Sequence, residues 1–131
     1  MKQPIALFGE AEKGNRETCF SVGSLTQLNA QLGHPPQDSR GIFFAIQFLL
    51  YEYDIVYFRV KEEGFSTKDY FRGFKLLLND KQACRLGAIC LPGVGDTQIM
   101  QAVTSICQFH QCLLIITEED LYDYLTALQF S

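Results

Sequence analysis

The sequence has no tryptophan, only two histidines and four prolines, and no CxxC pair among its five cysteines. Each shortage narrows what the chain can be. With His34 and His110 the only imidazoles and the thiols spread over positions 19, 84, 90, 107 and 112, the paired spacing of a closed zinc site is missing. An odd thiol count, with most of the cysteines in apolar runs, does not read as a disulfide framework. Reduced, buried thiols in a cytoplasmic protein are the expectation. Charge is sparse too, at 20 % of residues, and its balance is −4. An acidic chain has no general attraction for phosphate backbones or anionic lipid, so neither nucleic acid nor a membrane is expected as a partner. No apolar run reaches the length of a bilayer span. The longest, Gly41-Ile-Phe-Phe-Ala-Ile with Phe48-Leu-Leu-Tyr51 after Gln47, is about as long as a core helix. The first residues, Met1 to Gly9, lack the apolar region of an export signal and read straight into a strand.

What is abundant is apolar surface. Hydrophobic residues make up 47 % of 131, with 11 Phe and 6 Tyr, enough for one core without a metal or disulfide staple. Pro4-Ile-Ala-Leu-Phe8 reads as a buried strand closed by the polar turn Gly9–Asn15, and Thr18–Val22 as a shorter strand. Ser24 and Gln27 form a capping box for a helix with Leu25, Leu28 and Leu32 on its apolar stripe and Gly33 at its end. After the loop His34–Arg40, a helix over about 40–52, capped by Asp38 or Ser39, is apolar almost all round, which implies burial between layers or at an interface.

Asp54–Val60 is the clearest strand. Ser66 and Asp69 cap a helix with Tyr70, Phe71, Phe74, Leu77 and Leu78 along one face. Leu86–Leu91 is a strand, and Asp96 caps a helix with Ile99, Val103, Ile106 and His110 or Phe109 at helical spacing. Cys112–Ile116 is a last buried strand, and Thr117 with Asp120 caps a final helix carrying Leu121, Tyr124, Leu125 and Leu128. Strands alternating with helices predict one α/β domain over residues 1–131: a three-layer sandwich with a largely parallel sheet of about five strands and helices on both faces.

Motifs for chemistry are thin. Gly9-x4-Gly14 has the spacing of a phosphate loop, but Asn15-Arg16 replaces the Lys-Ser/Thr pair and a strand, not a helix, follows. Pro92-Gly-Val-Gly-Asp96 is better placed, between a strand and a helix start, where ligands collect in open α/β sheets. If the chain binds a ligand, Gly93, Gly95 and Asp96 are its candidate residues, with Glu10 and Glu12 as an acid pair on the first strand-end loop. Otherwise Gly93 and Gly95 make a tight turn and the glutamates are surface charges. Cys107-Gln-Phe-His110-Gln-Cys112 crosses from helix to strand and offers no fourth ligand, so no metal is assigned. No nucleophile elbow flanks either histidine. Catalytic residues and cofactors are therefore not expected.

Read in order, the segments resemble the phage tail sheath family. Ile5-Ala-Leu-Phe-Gly-Glu-Ala-Glu-Lys-Gly14 resembles that family's strand and Gly-Glu-Ala-x-x-Gly turn. Val22-Gly-Ser-Leu-Thr-Gln-Leu28, continuing to Leu32-Gly33, is similar to its Ser-opened helix. Ile42–Leu49 resembles its Leu-x-x-Ala-Val-x-x-Phe-Phe helix, and Val56-Tyr-Phe-Arg-Val60 its strand ending in Val-Arg-Val. Leu86-Gly-Ala-Ile-Cys-Leu-Pro-Gly93 is similar to its strand ending in Pro-Gly. The likeness spans most of residues 4–117, with Tyr53-Asp54 where a Gly-Gly turn is usual. It implies a non-enzymatic structural protein: the core of a contractile-tail or injection-system sheath subunit, truncated, without the terminal arms that donate strands to neighbours. Its implied partners are further copies or other tail and assembly proteins, in the cytoplasm within a phage tail-like particle.

Overall fold

The computed structural model describes residues 3–15, 18–79 and 86–127. Ten elements run β1 (Ile5–Gly9), β2 (Cys19–Val22), α1 (Leu25–Leu32), α2 (Gly41–Leu50), β3 (Ile55–Arg59), α3 (Thr67–Asn79), β4 (Ala88–Cys90), α4 (Thr97–His110), β5 (Leu113–Ile115) and α5 (Glu118–Ala127). The strands form one sheet in the order β2-β3-β1-β4-β5, parallel throughout except for β2 against β3. This is the expected α/β fold with a largely parallel five-stranded sheet. β1 lies at its centre, aligning Ile5 with Ile55 on one side and Ala88 on the other, and all five of its residues are buried.

Strand alternation sends successive side chains into two separate cores. Ile5 and Leu7 join one with Leu28 and Leu32 of α1, Phe44 and Phe48 of α2, and Leu121 and Leu125 of α5. Ala6 and Phe8 join the other with Tyr70, Phe74 and Leu77 of α3 and Ile99, Val103 and Ile106 of α4. A sheet so covered explains why the later strands read as unbroken apolar runs. Among the described residues no helix is long and apolar enough to cross a membrane.

Several local expectations need correction. Leu25 faces outward rather than joining the stripe of α1, and Phe71 and Leu78 of α3 are also exposed. β5 is an edge strand with Leu113 exposed, not a buried strand. Of the thiols expected to be buried, Cys90 and Cys107 are, whereas Cys19 is exposed on β2 and Cys112 half-buried. Cys84 and Leu128 lie outside the described residues. The Ser66 hydroxyl turns back to Glu62, accepting from its N–H at 3.1 Å and donating to its carbonyl at 2.9 Å, and the Asp69 carboxylate accepts from Lys61 N–H at 2.8 Å.

The caps at Ser24, Asp96 and Thr117 form as read. Gln27 N–H donates to Ser24 Oγ at 3.2 Å, and Ile99 N–H to Asp96 Oδ1 at 3.0 Å. At α5 the box is reciprocal: Asp120 N–H donates to Thr117 Oγ1, while Asp120 Oδ2 accepts from Thr117 and Ile116 N–H, all at 3.1 Å. Those backbone donors hold the Asp120 carboxyl below its ordinary pKa. A depressed native pKa means the stabilisation is complete above the unfolded value, near pH 4, and is lost as pH falls through the native value. Asp120→Ala is expected to cost about 0.5–2 kcal/mol at pH 7. In urea titrations the gap between the two proteins should close progressively below about pH 4.

Candidate functional site

From β1 the chain passes to β2 at one edge and comes back to β3, then crosses β1 to β4 and continues outward to β5. The strand order therefore reverses between β1 and β4. In open α/β sheets ligands bind outside the carboxyl ends of the strands at such a reversal. The sequence candidates flank it: Glu10 and Glu12 follow β1, while Gly93, Gly95 and Asp96 follow β4.

The structure shows what these residues do there. Glu10 and Glu12 do not act as a pair. The Glu10 carboxylate accepts from Glu63 N–H at 2.9 Å, whereas Glu12 lies against Gly33 and accepts from His34 N–H at 3.4 Å. Gly14, the second glycine of the phosphate-loop spacing, presents its carbonyl to Arg59 Nη1 at 2.5 Å. Asp96 Oδ1 is engaged by the first turn of α4. Gly93 holds φ +79°, and both it and Gly95 border open space. Gly64, at φ +87°, packs on the Gly93 carbonyl so closely that an added Cβ would sit 2.6 Å from that oxygen. The loop after β3 thus meets the loop after β4 at the reversal.

Sequence reasoning missed the residue that organises this end of the sheet. Glu63 Oε2 accepts from Glu10 N–H at 2.8 Å, Ser39 Oγ at 3.0 Å and Gly41 N–H at 2.9 Å, and its Oε1 accepts from Arg40 N–H at 2.8 Å. This carboxylate caps α2 in place of Asp38 or Ser39. Asp38 sits at φ +63° instead, and Ser39 serves as one of the donors to Glu63. A negative group at a helix N-terminus is favoured by the dipole and by the free N–H groups there. Tyr57 completes the cluster by donating its hydroxyl to the Glu10 carbonyl at 2.6 Å beneath the close approach of Gly9 and Gly41. Tyr70 Oη accepts from Gly64 N–H at 2.8 Å. Burial pushes both phenols up from their ordinary values, so they stay neutral at physiological pH and serve as fixed dipoles. No local signal marks Glu63, since its partners lie 22 to 53 positions away in the sequence.

A second feature lies on the outer side of α3 and α4. A shallow apolar groove there is lined by Phe71, Phe74, Lys75, Leu78, Ile106 and Phe109. Phe109 is 70 % exposed, which settles the alternative at the end of α4: His110 turns inward, its Nε2 3.2 Å from the Leu77 carbonyl. The fourteen residues of α4 include no Asp, Glu, Lys or Arg. On α3 the exposed positions Lys68, Phe71, Lys75 and Leu78 alternate basic and apolar at helical spacing. Among the described residues no three metal-ligating side chains gather. No family model, curated protein or solved structure matches this chain.

Proposed function

We propose that the protein is a non-enzymatic assembly module, resembling the core of a contractile-tail sheath subunit, that associates with further copies of itself. The observation that carries this reading is the α3–α4 surface. Exposed Phe71, Leu78 and Phe109 border one groove beside a helix without charge, and contiguous apolar patches of this kind mark interaction sites. The occupant is a second copy presenting α5, whose outward residues Glu119, Tyr122 and Asp123 are acidic and aromatic. Lys68 and Lys75 meet that charge, and the aromatic rings supply the apolar contact. Because the two surfaces differ, the contact is head-to-tail and generates a ring or filament rather than a closed pair.

Sedimentation velocity over rising protein concentration tests this directly. The wild type should associate, and Phe109→Asp should weaken association at least about tenfold, as loss of a central aromatic anchor does. Leu25→Asp, on an exposed site of α1, should leave it unchanged. A wild type that stays monomeric at high concentration overturns the proposal.

A ligand-binding role at Pro92–Asp96 is the second reading, favoured by the open space at Gly93 and Gly95 beside the strand-order reversal. A thermal shift with nucleotides or phosphorylated metabolites that Asp96→Ala abolishes would favour it over assembly.

A further inference from the structure

The C-terminus of α4 brings two thiols together. Gln111 adopts the left-handed conformation (φ 54°, ψ 46°), its N–H bonds to the Gln108 carbonyl at 3.3 Å, and Cys112 N–H bonds to the Cys107 carbonyl at 3.0 Å. This pair of bonds is the Schellman ending, in which the side chains at the two ends of the longer bond touch, ordinarily as an apolar contact. Here both are cysteines. The Cys107 thiol lies within 4.0 Å of the Leu113 carbonyl, and Cys112 packs on the core that contains Cys107. A disulfide requires α-carbons roughly 4.4–6.8 Å apart and sulfurs able to meet. A direct main-chain hydrogen bond holds the two backbones together, and the shared packing places both side chains on the same core.

We infer that Cys107 and Cys112 form a peroxide-responsive dithiol, in which Cys112 is oxidised first and Cys107 closes an intramolecular disulfide. The two sulfurs differ in access, Cys112 being half-buried and Cys107 buried. They also differ in acidity. Hydrogen bonding from Cys107 lowers the Cys112 thiol from its ordinary value, while the same contact and burial raise Cys107. The negative end of the α4 dipole opposes the Cys112 thiolate. The Cys112 thiolate attacks one oxygen of hydrogen peroxide, the O–O bond breaks, and sulfenic acid forms with release of hydroxide. The Cys107 sulfur then displaces the sulfenic oxygen, which leaves as water with the Cys107 proton, and the S–S bond forms. Two thiols supply two electrons, and one peroxide becomes two waters. Cys90 is sealed in the core, and Cys19 lies on β2 at the opposite edge of the sheet from β5.

Peptide mapping of the full chain after graded hydrogen peroxide is the test. The peptide spanning 107–112 should lose two hydrogens, resist alkylation at both cysteines, and recover both after dithiothreitol. Cys107→Ser should stop at the sulfenic acid, captured on Cys112 by dimedone, and Cys112→Ser should leave Cys107 alkylatable. Circular dichroism confirms that each variant is folded, and the wild-type map decides the matter if one is not. A 107–112 peptide still alkylatable at both positions when Cys19 is already oxidised overturns the inference. So does a Cys112 linked instead to Cys19 or Cys84.

Discussion

Phe8→Ala is expected to destabilise the fold by about 3–5 kcal/mol, the range for removing a fully buried aromatic ring. Phe8 is wholly inaccessible in the central strand. Its ring stacks on Phe58 at 4.5 Å and on Tyr70 at 5.6 Å, and meets Phe74 edge-on at 5.2 Å. Gly73 opens the room for it, since a Cβ there would lie 2.8 Å from Phe8 Cζ and 3.1 Å from Phe58 Cδ1. Truncation removes the ring that joins β1, β3 and α3, and neighbours held by their own strands and helix collapse only partly into the space. Urea denaturation should show an earlier midpoint with little change of slope. Phe8→Leu, which keeps more of the volume, should lose less. A Phe8→Ala loss below about 1 kcal/mol would show that this aromatic cluster is not packed as described.

Glu63→Ala should cost about 2–4 kcal/mol, because one truncation strips the acceptor from four donors on two segments. The α2 N-terminus would lose its cap, and the loop after β1 one of its bonds to the loop after β3. Glu63→Gln keeps a single acceptor oxygen and should fall between. The adjacent Glu62→Ala is the control: that side chain is exposed, and its loss should stay within about 0.5 kcal/mol. Equal destabilisation by the two alanine variants would contradict the assignment of Glu63 as the organising carboxylate.

Glu63 also marks where the sequence stopped being legible. Strand identity, helix spacing and the caps at Ser24, Asp96 and Thr117–Asp120 depend on residues within four positions of each other, so pattern alone exposes them. The α2 cap instead comes from a carboxylate beyond an entire strand, which no local window reports. Strand edges failed for a related reason. Cys112–Ile116 is as apolar as a buried strand, yet β5 has a partner on one side only, and strand order is a property of the whole chain. Phe71, Leu78 and Phe109 fit a helical stripe in sequence, but the core admits only part of that stripe, and its remainder forms the outer groove. The loops at Glu10, Glu12 and Gly93–Asp96 lie at strand ends, as their place in the sequence implies. Their engagement by Glu63, Gly33, Gly64 and α4 could be seen only once the fold brought those partners in.

Zero-length carbodiimide cross-linking at a concentration where the chain associates is the most direct test of assembly through α3, α4 and α5. It joins only amines and carboxylates already in contact. The account predicts intermolecular links from Lys68 or Lys75 to Glu119 or Asp123, lost in Phe109→Asp. A chain that yields only intramolecular links, or intermolecular links confined to other surfaces, would contradict it.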